Sequence, residues 1–124
     1  MDNFREGFAK RIRVYVVSLI EFIDGLPKER VANVIANQLI RSGTSIGANY
    51  FEAKSASSRK DFINFFTYSL KSANESRFWL ETLIDIKRCD FEKAQFLIRE
   101  TIEIANVVGA SILTMKKKAV TAKL

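Results

Sequence analysis

Apolar residues near the start of the chain recur at Phe4, Phe8, Ile12, Tyr15, Leu19 and Phe22, at steps of four, four, three, four and three. That spacing holds them on one face of a 3.6-residue helix and predicts an amphipathic helix over residues 3–23. Val14, Val16, Val17, Ile20 and Ile23 widen the face beyond what one neighbour covers, which points to burial against more than one surface. Asp24-Gly25-Leu26-Pro27 ends the segment, with Gly25 suited to a left-handed cap and Pro27 to the first turn of the next helix.

A second helical pattern fills residues 27–55, with Val31, Ile35, Leu39 and Ile46 facing inward. Ser55-Ala56-Ser57-Ser58 breaks it, and Ser58 with Asp61 has the form of a capping box with a shortened acid. A third helix is predicted over 59–87, carrying Phe62, Phe65, Phe66, Leu70, Ala73, Leu80, Leu83 and Ile84 on one side. After the turn Lys87-Arg88-Cys89-Asp90, Asp90 caps a fourth helix over 90–117. Its stripe is Phe91, Ala94, Leu97, Thr101, Ile104, Val108, Ile112 and Met115, and the run 107–113 is apolar nearly all round. Long helices joined by short turns give an all-α fold, an antiparallel up-down-up-down four-helix bundle. Residues 1–115 form the bundle and 116–124 a basic C-terminal tail. The apolar surplus on the first and fourth helices points to self-association.

A polar stripe interrupts this pattern. Ser42, Ser45, Asn49 and Glu52 step by three, four and three, which places them on one helical face, while Ser69, Ser72, Glu75 and Ser76 repeat the theme on the third helix. Gly43 and Gly47, each costing about 1 kcal/mol relative to alanine, imply a tight helix contact. Two readings stand side by side. The serines are small residues back-bonding to their own helices, or they belong to a hydrogen-bonded network in which Glu52 or Glu75 accepts. The aromatics of the third helix fit a core better than base stacking.

Charge is distributed unevenly along the chain. Of the formal +6, Lys116, Lys117, Lys118 and Lys123 supply four, leaving +2 for the rest. Two further clusters, Lys10, Arg11 and Arg13, and Lys54, Arg59 and Lys60, lie on the first helix and at the serine corner. Such clusters attract polyanions through phosphate contacts, and they are equally the form of solvated helix ends.

Gly43-Thr44-Ser45-Ile46-Gly47 matches a hydrolase nucleophile elbow, but that motif needs a preceding strand and a histidine, and the chain contains no histidine. The same lack removes the Glu-x-x-His pairs of a di-iron bundle. Nothing in the sequence calls for a metal, a cofactor or an enzymatic activity. The single cysteine, Cys89, makes no intrachain disulfide and is read as a small residue at a turn. Neither 12–23 nor 104–115 reaches the ~18 uninterrupted apolar residues of a membrane span. With no apolar leader at the N-terminus, a cytoplasmic location is expected and the sequon Asn74-Glu75-Ser76 goes unused.

Arg41-Ser42-Gly43-Thr44-Ser45-Ile46-Gly47-Ala48-Asn49, Glu52, Ser57-Ser58-Arg59-Lys60-Asp61-Phe62, Ser72 and Glu75 together resemble the four-helix-bundle family encoded in intervening sequences of bacterial 23S ribosomal RNA. Its relatives include the accessory proteins of diversity-generating retroelements. The likeness is close over the second and third helices and one of character over the other two. Ala53 stands where the family commonly carries glycine, which predicts a corner extended by a turn; Trp79 also departs from the pattern. The resemblance implies a homopentameric barrel with a central channel and, for the retroelement relatives, binding of nucleic acid and of a reverse transcriptase. The expected function is therefore a non-enzymatic nucleic-acid-binding accessory subunit, the alternative being a structural protein–protein module.

Overall fold

The computed structural model describes residues 2–123 as four helices: α1 (Asp2–Asp24), α2 (Arg30–Ala53), α3 (Arg59–Asp85) and α4 (Phe91–Lys123). Each packs on its successor, and α4 closes the ring on α1. Neighbours run antiparallel. Leu19 faces Gly43 while Ile12 faces Gly47, Ser42 meets Ser76 while Ser69 meets Ile46, and Tyr15 pairs with Thr101.

The expected stripes form the core except at two helix starts, where Val31 in the first turn of α2 and Phe91 at the first position of α4 are exposed instead of facing inward. On α1, Phe8, Ile12, Tyr15, Leu19 and Phe22 are buried, and the Phe4 side chain lies outside the described residues. Ile35, Leu39, Ile46, Phe66, Leu80, Leu83, Ala94, Leu97, Ile104 and Val108 close around them. The two small residues of α2 serve α1: a Cβ on Gly43 would collide with Leu19 Cδ2, and one on Gly47 would lie 3.3 Å from Val16 Cγ2. A glycine notch thus lets a large α1 side chain seat against the α2 backbone.

Two boundaries differ from expectation, and the corner is extended as expected. α2 starts at Arg30, not at Pro27, because Pro27 to Glu29 form the connection and Glu29 is the extended residue before the first turn. Beyond Ala53, successive bonds from Lys54 N, Ser55 N and Ala56 N to the carbonyls three residues back prolong the corner by a tight turn. α4 does not stop at 117. Residues 116–123 continue it as helix and are no separate tail, in keeping with the high helix propensity of lysine and alanine and the favourable position of cations near a helix C-terminus. The last residue, Leu124, and the Lys123 side chain lie outside the described set.

The caps are partly as read. Ser58 accepts from Asp61 N at 3.1 Å, but the Asp61 carboxylate takes the Ser57 hydroxyl instead of closing a full box. Asp90 accepts from Lys93 N at 3.0 Å. Gly25 is not left-handed; its N–H bonds to Glu21 O and Phe22 O and finishes α1 with ordinary helical turns. The left-handed residue is Lys87, at φ 57°. Lys87 N donates to Ile84 O and Arg88 N to Leu83 O, the paired bonds of a Schellman ending. A side chain costs about 1 kcal/mol there, so Lys87→Gly is expected to stabilise the protein by about 0.5–1 kcal/mol in urea unfolding. A destabilised variant would mean that the lysine side chain contributes more than its strained backbone takes away.

Candidate functional site

The polar seam between α2 and α3 is real and smaller than its sequence pattern. Ser42, Ser69 and Ser76 are buried. Ser69 Oγ donates across the seam to Ile46 O at 2.8 Å, and the Ser76 and Ser42 hydroxyls meet at 2.8 Å, with Ser72 O also 2.8 Å from Ser76 Oγ. Ser45, Asn49 and Ser72 are half-buried at its edge, where Asn49 Nδ2 donates to Ser45 O within its own helix. Arg41, Glu52 and Glu75 are exposed. The reading of Glu52 or Glu75 as a buried acceptor is overturned: Glu75 takes the indole N–H of Trp79, four residues on, at 3.1 Å. The stripe rotates outward after Ser42, so the carboxylates stay in water and avoid desolvation while backbone carbonyls accept in their place. The elbow-like motif lies in the middle of α2 and has no strand–helix turn.

The basic residues fall into a different pattern. Lys10, Arg11 and Arg13 are exposed on α1, but Arg11 is committed to α4. Its Nη2 and Nε donate to Glu100 Oε2 at 2.5 and 3.1 Å. That hydrogen bond raises the guanidinium pKa, burial opposes it slightly, and the charges of Glu100 and Glu103 add to the rise. The pair sits beside a groove of about 300 Å³ between α1 and α4, lined by Lys10, Val14, Ser18 and Phe96. Beneath the ion pair Thr101 Oγ1 lies 2.7 Å from Leu97 O and 2.6 Å from the Tyr15 hydroxyl. Thr101 has one proton, which goes to Leu97 O, so Tyr15 is the donor. Sequence reasoning missed both contacts, whose partners lie more than eighty positions apart.

At the corner, Lys54 Nζ sits 4.8 Å from the Phe51 ring centre and 5.5 Å from that of Tyr50, a cation–π arrangement. Arg59 and Lys60 are exposed on the first turn of α3, and Lys116, Lys117 and Lys118 are exposed on α4. The antiparallel register brings these together. Arg11 beside Glu100 and Leu19 beside Gly43 put the start of α1 level with residues 54–58 and with about residues 110–114. Arg5, Lys54, Arg59, Lys60 and residues 116–118 therefore share one end of the bundle, against Glu6, Glu52 and Asp61. At the opposite end acids predominate: Glu21, Asp24, Glu29, Glu81, Asp85, Asp90 and Glu92 outnumber Lys28, Arg30, Lys87, Arg88 and Lys93.

A family model described as 23S rRNA-intervening sequence protein matches residues 3–110. The chain belongs to this family. Among solved structures, the chain is similar to a protein of unknown function from the S23 ribosomal protein family of Bacteroides thetaiotaomicron VPI-5482. That likeness has a TM-score of 0.76 at 36% identity, over 84% of this chain and 96% of the other. No curated protein matches. The family match covers the seam and the corner cations and ends before Lys116. Among its described residues no group of three or more His, Cys, Asp or Glu side chains is placed to hold a metal ion, and no helix is long and apolar enough to cross a membrane. Burial, then the neighbouring Asp90 charge, pushes the Cys89 thiol upward and away from a reactive thiolate.

Proposed function

We propose that the chain is a non-enzymatic assembly subunit that binds nucleic acid through the basic end of its bundle. The convergence of the corner cations with residues 116–118 carries this reading, because clusters far apart in sequence become one electropositive face. Charge separation along the bundle supports it, since an acidic far end orients the molecule toward a polyanion. Self-association would strengthen weak contacts by repetition: a pentamer turns +6 into about +30 of formal charge. Exposed Val14, Val17, Phe96 and Leu113, each about half exposed or more, favour such an assembly, although Val31, Val34, Tyr68 and Phe78 spread the apolar surplus over all four helices.

Phosphate contacts release counterions, so affinity for nucleic acid is expected to fall steeply with salt, the slope counting the phosphates neutralised. Arg59→Glu combined with Lys60→Glu should lower that slope by about 2 or more and weaken binding at every salt concentration. No mobility shift with DNA or RNA at low salt would replace this reading with a protein-binding module. Light scattering addresses the assembly separately, and a monomer mass at micromolar concentration would remove the ring.

A further inference from the structure

α4 holds 33 residues against 23 to 27 in the other helices. Because the start of α1 is level with about residues 110–114, residues 115–123 project past the bundle end as an arm roughly 13 Å long. The arm lies beyond the family match. Lys116 and Lys118 are separated by two residues of helix, about 200° of rotation, so their cations leave on opposite flanks. Lys117 lies between them, so the three lysines spread over a continuous arc of about 200°, wide enough to meet anionic groups on two facing walls.

At the foot of the arm the aromatic rings are turned inward. Phe8 and Tyr50 meet edge to face at 5.3 Å, Tyr50 stacks on Phe66 at 5.6 Å, and Lys54 covers Phe51. These rings are engaged in the core, whereas single-strand binding uses open rings on which bases stack.

Resting on the nucleic-acid reading above, we infer that the ligand is B-form duplex DNA, with the α4 arm entering its major groove and Lys116 and Lys118 meeting phosphates on both walls. A helix with side chains is about 10–12 Å across, and the groove is about 12 Å wide and 8.5 Å deep. The arm is long enough to reach the floor while Arg59 and Lys60 at its foot lie over flanking phosphates. A-form RNA presents a deep, narrow major groove that refuses such an arm.

The test is fluorescence anisotropy of the intact protein with a short labelled DNA duplex, the same sequence as RNA duplex, and the single DNA strand. The duplex DNA is expected to bind roughly tenfold tighter than either alternative. Ala119→Pro disrupts the arm's helix without changing charge and should shrink that preference to about twofold, with the thermal melt of the bundle unchanged. Lys116→Gln with Lys118→Gln keeps the helix and should lower the salt slope on duplex DNA by about 2. Equal affinity for all three ligands, or a preference that survives both variants, overturns the inference and leaves the basic-end reading standing. Failure to bind any of the three overturns the basic-end reading itself.

Discussion

Leu19→Ala is expected to destabilise the bundle by about 3 kcal/mol, Gly43→Ala by about 1–2 kcal/mol, and the double variant by clearly less than the sum. Leu19 is fully buried, and its Cδ2 occupies the space that a Cβ on Gly43 would need. Its surroundings are packed, so the leucine cannot swing aside freely; overpacking of this kind costs about 1–3 kcal/mol, offset in part by the ~1 kcal/mol helix-propensity gain of alanine over glycine. Truncating Leu19 opens a cavity beside the glycine, and the methyl that Gly43→Ala introduces then fills part of it. The expected coupling is at least about 1 kcal/mol, read from urea midpoints of the four proteins. Gly47→Ala is the internal control. Its Cβ would meet Val16 and Ile12 at 3.3 and 3.4 Å, a contact that small adjustments relieve, so propensity should nearly balance crowding. Additive effects at Gly43 and Leu19 would mean that the notch is not what holds α1 against α2.

Which parts of this are legible in the sequence follows from how far apart the interacting residues lie. Helix number, type and inward faces depend on neighbours three and four positions away, and Phe8, Ile12, Leu39, Leu80 and Ile104 are buried as the periodicity requires. The caps at Ser58 and Asp90 are equally local. Glycine adopts the left-handed conformation without strain, which makes Gly25 the natural choice in the sequence, yet the α3–α4 connection imposes that conformation on Lys87. Periodicity groups Ser42 with Glu52 on one face, but only the position of α3 decides that Ser42 lies inside and Glu52 outside. The basic clusters are visible one by one. Their convergence is a property of the topology, and the capture of Arg11 by Glu100 depends on a partner 89 positions away.

The Tyr15 hydroxyl makes a second large effect accessible, in alkali. Burial is the main cause that pushes its pKa up to about 12; the Thr101 hydroxyl, able to turn toward a phenolate, opposes the shift, and the Glu100 charge adds to it. In the unfolded chain the phenol ionises near its ordinary value of about 10. The folded protein holds the proton that the unfolded chain releases, so the full stabilisation is present below pH 10. It is lost as pH rises from 10 to about 12, by as much as about 3 kcal/mol over the two units. Tyr15→Phe removes the hydroxyl but leaves Thr101 bonded to Leu97 O, so at neutral pH it should cost only about 1 kcal/mol. Tyr50, also raised by burial and opposed by Arg5, is present in both proteins and cancels in the comparison. Urea midpoints between pH 8 and pH 12 should therefore converge and cross, the variant becoming the more stable protein at the alkaline end. Parallel curves would show that Tyr15 meets solvent readily enough to ionise in place, and that the α1–α4 seam opens beneath Arg11 and Glu100.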